Sequence, residues 1–156
     1  MSAAFDNFVA VARQYCEWCV GTPATGKMEA RAAYEMLISL LNAQISLPDA
    51  KPTSGDYGGD GCDEYDRMHK RFASLPFQYY RSQGDPLHLD AENEIGDLAD
   101  DLTDIWLDLK PGLEMLDQGH RDSAAWHWQL LSPHWSQHAT AAVHALHRWL
   151  SDNRGS

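Results

Sequence analysis

Basic side chains are scarce in this chain: 12 lysines and arginines stand against 23 aspartates and glutamates in 156 residues, a formal net charge of −11. Such a charge repels phosphate backbones and anionic membrane surfaces at long range, so nucleic acid and lipid headgroups are poor partners. The same field speeds encounter with a basic protein or a cation. Cysteine is sparse too, with three residues, an odd number that offers no disulfide framework and fits a reducing, cytoplasmic setting. No uninterrupted apolar run approaches the length of a bilayer span. The N-terminal MSAAFDNFVAVARQYCEW is broken by Asp6 and Arg13 and reads as an amphipathic helix, not a signal peptide. Also missing are a glycine-rich phosphate loop, a serine in a nucleophile elbow and an H-E-x-x-H segment. Covalent catalysis has no visible nucleophile, and the sequence by itself assigns no catalytic residue, metal or cofactor.

What is present is helical periodicity. The length suits one domain over residues 1–156, with a core that needs no disulfide or metal. Phe5, Phe8, Val9, Ala12, Tyr15, Cys16 and Cys19 share one helical face before Gly21-Thr22-Pro23 ends the segment. A second helix starts near Thr25, carries Ala33, Leu37, Leu40, Leu41 and Ile45, and stops before Pro48, pairing antiparallel with the first. From about 48 to 61, PDAKPTSGDYGGDG has no apolar period and is expected to be an exposed, mobile loop. Asp56 and Asp60 lie there, but the ligand pattern and terminal glutamate of a calcium loop are missing. A short helix over Glu64–Ala73 follows, and then the aromatic Tyr79-Tyr80. Pro111 is expected to kink or divide the next helix, and Ser132-Pro133 to cap a separate last one that runs to about Ser151, with a disordered tail at about 152–156. No segment reads as a strand. The expected fold is all-α, a bundle of about six helices with one long loop rich in glycine, proline and aspartate.

Residues 97–109, DLADDLTDIWLDL, write two stripes onto one helix. Asp97, Asp101, Asp104 and Asp108 recur at steps of three and four, and Leu98, Leu102, Ile105 and Leu109 repeat the pattern one position later. Gly96 sits well just before an aspartate cap, so the helix begins either near Asp97 or further back, at Asp90. Stacked like charges cost about 0.2–0.5 kcal/mol per pair on an exposed helix, so these carboxylates need a cation, a histidine, a metal or a partner.

Six of the eight histidines fall between His120 and His147. His134 and His138, four apart, project from the face that carries Trp135, Ala142, Leu146 and Trp149, at or near the core, while His144 and His147 lie on the far, solvated side. Two histidines at that spacing share a metal when carboxylates complete the shell. In a buried polar network, each imidazole donates instead to an aspartate or a carbonyl. Cys16-Glu17-Trp18-Cys19 spells C-x-x-C, yet it lies at a helix C-terminus, where the dipole disfavours thiolates, and reads as core packing. Trp126 and Trp128, two apart, diverge by roughly 200° on a helix, so one shows a surface edge; Trp126 is a candidate contact residue.

The segments GDLADDLTDIWLDLKPGLEML, AWHWQLL and HWSQHATAAVHALHRWL, with weaker echoes in FVAVARQYCEW and RFASLPFQYY, resemble an uncharacterised bacterial family of all-helical proteins known as a domain of unknown function. The resemblance implies that Asp100, Asp101, Asp104 and Asp108 belong to one shared feature with His134 and His138. It supplies no activity. Pro111 and a shortened join between Leu131 and His134 depart from the family pattern.

Three readings follow for the face formed by Asp97, Asp101, Asp104, Asp108, His134, His138 and Trp126. In the first, a non-enzymatic acidic module docks a basic protein partner, as antitoxins and immunity proteins do. In the second, a metal-dependent hydrolase resembles the all-helical nucleotide pyrophosphohydrolases, with Asp60, Asp63, Glu64 and Asp66 as a second acidic group. In the third, Arg67, Arg71, Arg81, Arg121 or Arg148 satisfies the aspartates within the fold.

Overall fold

The computed structural model describes residues 2–53 and 62–155; for Cys62 only the backbone is described. Five α-helices among these residues are α1 (Ala3–Val20), α2 (Gly26–Ile45), α3 (Cys62–Arg71), α4 (Leu98–Asp117) and α5 (Arg121–Asp152). A 3-10 turn, Phe72–Ser74, extends α3. Ser54 to Gly61, with Asp56 and Asp60, lies outside the described residues. The remainder of the expected loop, residues 48–53, has no regular structure, but it is anchored: Ala50 N donates to Gln129 Oε1 at 2.5 Å and Gln129 Nε2 to Asp49 Oδ1 at 3.0 Å.

The all-helical expectation needs one correction. Tyr79–Gln83 (β1) and Asn93–Asp97 (β2) form an antiparallel hairpin, with Tyr80 opposite Gly96 and Ser82 opposite Glu94. The strands lack a clear apolar alternation because most of their positions face solvent, which removes the usual strand signal. Gly96 is required there, since a Cβ would fall 2.3 Å from the Tyr80 ring.

Both expected breaks in the later helices are absent. The helix α4 runs through Pro111, and α5 is one helix of 32 residues through Pro133, not two. Each proline removes a backbone donor, but packing spans the defect. Trp128 and Trp135, seven residues apart on one face of α5, are fully buried against Phe8, with ring centroids 5.1 and 5.9 Å away. In the turn before Pro111 the carbonyl oxygens of Asp108 and Leu109 find partners on α5, His127 Nε2 at 2.8 Å and Trp128 Nε1 at 3.0 Å. Gly112 leaves room for that indole; a Cβ would lie 2.2 Å from Trp128 Cε2. At the chain end, the expected disordered tail is tied down as far as Asn153, whose carbonyl accepts from Lys27 Nζ at 2.6 Å.

One core joins the inner faces of α1, α2, α4 and α5 through Phe8, Tyr15, Leu37, Leu40, Leu102, Ile105, Trp128 and Trp135. Cys19 is buried in it and Cys16 packs at its margin, where burial pushes the Cys16 thiol up to about 12; both are core-lining thiols, as the helix position suggested. A buried ion pair, Arg71 with Glu29 at 2.5 Å, pins α3 to α2. The consequence for the site is that α4 lies between α3 and α5, with the hairpin feeding directly into its N-terminus.

Candidate metal centre

The acidic helix begins at Leu98, with Asp97 as its cap: Asp97 Oδ1 accepts from Ala99 N at 2.9 Å and Asp100 N at 3.2 Å. Burial opposes ionisation of Asp97, but Gln78, the Asp100 N–H and His69 outweigh it and hold its pKa below the ordinary carboxylate value. Asp97 therefore works at the helix end, facing His69 at 3.3 Å, and takes no direct part in the cluster formed with α5.

The other aspartates are met one by one. Asp100 Oδ1 accepts from Tyr65 Oη at 2.5 Å. Asp101 Oδ2 accepts from Tyr80 Oη at 2.5 Å, and its second oxygen lies 2.8 Å from His138 Nδ1. His138 Nε2 is 3.3 Å from Asp104 Oδ2. Asp108 Oδ2 lies 2.6 Å from His134 Nδ1. Among the described residues no arginine pairs with Asp97, Asp100, Asp101, Asp104 or Asp108; Arg71, Arg121 and Arg148 pair instead with Glu29, Asp6 and Asp152. The arginine version of a structural network is thus corrected to one of tyrosine and histidine.

Two imidazoles of α5 stand edge to face, with centroids 4.9 Å apart. His134 is not at the core as expected: its side chain is 55 % exposed, because the residue sits at the outer rim of the α4–α5 contact. His138 is more enclosed and is flanked by carboxylates on both sides. The hydrogen bond to Asp101 raises its pKa against the opposing effect of burial, and the charges of Asp101 and Asp104 add to the rise. Asp104 is pushed up by burial and by its neighbours Asp100 and Asp108, with the two histidines opposing.

One ligand atom each from Asp104, His134 and His138 lies within 4.8 Å of the others. Around a bound zinc ion such atoms sit roughly 3.3 Å apart, so closure needs a shift of up to about 1–2 Å. A carboxylate accepts and never donates when ionised, so Asp101 and Asp108 fix a proton on Nδ1 of His138 and His134. In the neutral ring that leaves the Nε2 lone pair of His138 facing Asp104, the oxygen ligand of the cluster, and a bound cation takes the place of the second ring proton. Carboxylate–histidine–metal triads are the usual way a protein orients such ligands.

Tyr65, Tyr80 and His69 belong to this site and were not singled out from sequence. Tyr65 and His69, four apart on α3 with rings stacked at 5.7 Å, carried the same spacing signal as the α5 histidines. Tyr80 carried none, since only the hairpin brings it to α4. Glu64 pairs with Lys110 at 2.6 Å, while Asp63 and Asp66 are exposed. The expected second acidic group is therefore not gathered at the cluster, and Asp60 lies outside the described residues. Trp126 is half-buried on α5, eight residues before His134.

The family model described as "Domain of unknown function (DUF5063)" matches residues 1–152. No curated protein matches the chain. Among solved structures, the crystal structure of protein BF1032 from Bacteroides fragilis is similar with a TM-score of 0.74 at 18 % identity, covering 94 % of this chain and 91 % of that one. At that identity the likeness speaks for the fold.

Proposed function

The chain belongs to the DUF5063 family, and from the site it carries we propose that it is a divalent-metal-binding protein in which Asp104, His134 and His138 hold the ion as the Lewis-acid centre of a hydrolase. One observation carries the reading. Both histidines have Nδ1 held by an aspartate, Asp101 or Asp108, that lies outside the ligand set, and the opposite nitrogen of His138 faces Asp104 at 3.3 Å. Two histidines and one carboxylate leave coordination positions for water or substrate, the arrangement of iron, manganese and zinc sites that perform chemistry. Such an ion supplies activation of water or of a substrate oxygen.

The nucleotide pyrophosphohydrolase pattern fits less well, since α3 offers tyrosine and histidine to α4 where those enzymes use carboxylates. Docking of a basic partner is favoured by the net charge of −11. It has less to present on this face, where the Asp101, Asp104 and Asp108 side chains are 8, 26 and 14 % exposed.

Metal analysis of the purified protein, with thermal stability measured with and without chelator, tests the reading. Near-stoichiometric zinc, manganese or iron and a lower melting temperature after chelation are the expected results. No retained metal, together with no shift on adding any of these ions, overturns it.

A further inference from the structure

A cleft of about 1210 Å³ opens between the hairpin and the C-terminal half of α5. That exceeds the roughly 300–1,000 Å³ of most small-molecule pockets and suits a longer occupant. One wall is a stretch of strand: Arg81, Ser82, Gln83 and Gly84 line it in unbroken succession, whereas β2 contributes Glu94. A cleft over the sheet's face would meet alternate residues of both strands, so this one runs along the open side of β1. The other wall is α5 from Gln137 to Asp152, about 22 Å of helix.

The phase of the ladder decides which backbone groups face that side. Leu98 N donates to Gln78 O at 2.8 Å, which continues the register of Tyr79 with Asp97 by one pair. Hydrogen-bonded pairs alternate along an antiparallel ladder, so Tyr80 and Ser82 exchange bonds with Gly96 and Glu94. The N–H and C=O groups of Tyr79, Arg81 and Gln83 therefore point away from β2. Among the described residues the sheet has two strands, and this row meets no third; Gln83 O accepts from the neighbouring Ser82 Oγ at 3.3 Å.

Charge on the walls has a sign. Arg81 stands opposite Ile95 on the exposed face of the hairpin, and its Nε lies 3.2 Å from the Asn93 side-chain oxygen with that amide oriented to accept. Arg148 and Asp152 pair with each other at 3.0 Å. Asp85 and Glu94 pair with no cation among the described residues, and Asp85 accepts from Leu87 N at 2.9 Å. Two carboxylates at the outer end of the hairpin are thus left to an occupant, in a chain whose net charge of −11 already draws cations. Toward the base of β1 the lining is aromatic, with Tyr80 beside Phe77 and Trp149, whose ring centroids are 6.4 Å apart.

We propose that this cleft docks an extended basic peptide, which adds to the open edge of β1 as a third strand. It sets a lysine or arginine against Asp85 and Glu94 and lays an apolar side chain on Phe77 and Trp149. From Phe77 to Ser82, the cross-strand partner of Glu94, the chain advances about 17 Å, so the two anchors fall about five residues apart in the peptide. In strand addition of this kind main-chain bonds give affinity and alternate side chains give specificity. None of Asp104, His134 and His138 lines the cleft, so this docking is independent of the metal reading.

Fluorescence anisotropy of the full chain with the labelled heptapeptide KKVTVTF tests it. Saturable binding is expected, at least ten-fold tighter than that of EEVTVTF. Arg81→Pro removes an edge donor and leaves the bonds between β1 and β2 in place, so it should weaken the peptide at least ten-fold. Arg81→Ala keeps that donor and should bind within two-fold of the parent. Matched circular dichroism spectra guard against misfolding, and a second measurement needs no variant. Methylating alternate backbone nitrogens of the peptide should abolish binding in one of the two alternating sets and spare the other, because one set faces β1 and the other faces away. No saturable binding of KKVTVTF, equal binding of EEVTVTF, or equal tolerance of both methylated sets overturns the proposal. Spermidine displacing the peptide at equal concentration would give the cleft to a small cation, and a dimer that Arg81→Pro dissolves would give the edge to a second copy; each result also overturns it.

Discussion

Tyr80 on the hairpin donates its hydroxyl to Asp101 on α4 from 2.5 Å, and the same carboxylate turns its other oxygen to His138 at 2.8 Å. A carboxylate with an 8 % exposed side chain is thereby satisfied from both sides, by the hairpin and by α5. Burial and the carboxylate together push the Tyr80 phenol well above its ordinary value, so it stays a donor at any physiological pH.

Asp101→Ala leaves both donors unpaired in a largely closed setting. A loss of about 1–3 kcal/mol is expected. Tyr80→Phe removes one hydrogen bond and should cost about 1 kcal/mol. Urea unfolding of both single variants and the double variant checks this, with the double losing less than the sum because the two groups share one interaction.

Asp97→Ala removes the cap of α4 and should cost about 0.5–2 kcal/mol at neutral pH. The pKa of Asp97 is lower folded than unfolded, so its contribution is present above the unfolded value and disappears as pH falls through the folded one. The stability gap between the parent and Asp97→Ala should therefore narrow below about pH 4. Thermal unfolding across pH 3–7 measures it.

Gly112→Ala drives a methyl into the Trp128 indole, whose ring has no space to retreat because it is fully buried against Phe5 and Phe8. The expected cost is about 1–3 kcal/mol, with a change in near-ultraviolet circular dichroism from the displaced tryptophan.

Period and charge made much of this structure legible in the sequence. The apolar faces of α1 and α2 follow from residues three and four apart; Asp97 as the cap of α4 is one of the two starts the sequence offers, and the meeting of the acidic stripe with His134 and His138 is what the family resemblance implies. Local rules failed where tertiary packing overrode them: Pro111 and Pro133 sit inside helices because buried Trp128 and Trp135 hold α4 and α5 continuous across them. The hairpin escaped notice because its strands are short and mostly exposed, and with it went Tyr80 and the cleft. Histidine, one of the partners the stripe calls for, stands beside it, while arginine does not and tyrosine takes a share that the sequence does not signal. Hydrogen-bond donors from α3, α5 and the hairpin converge on α4 in a way that no single segment encodes.

Titration of the metal-free protein with zinc, followed by calorimetry, addresses the central claim most directly. One saturable site per chain is expected. Its affinity should fall at least 100-fold in Asp104→Ala and His138→Ala, and about 10–100-fold in Asp101→Asn and Asp108→Asn, which only orient the imidazoles. No saturable binding, or binding that these four substitutions leave unchanged, would contradict a metal centre at Asp104, His134 and His138.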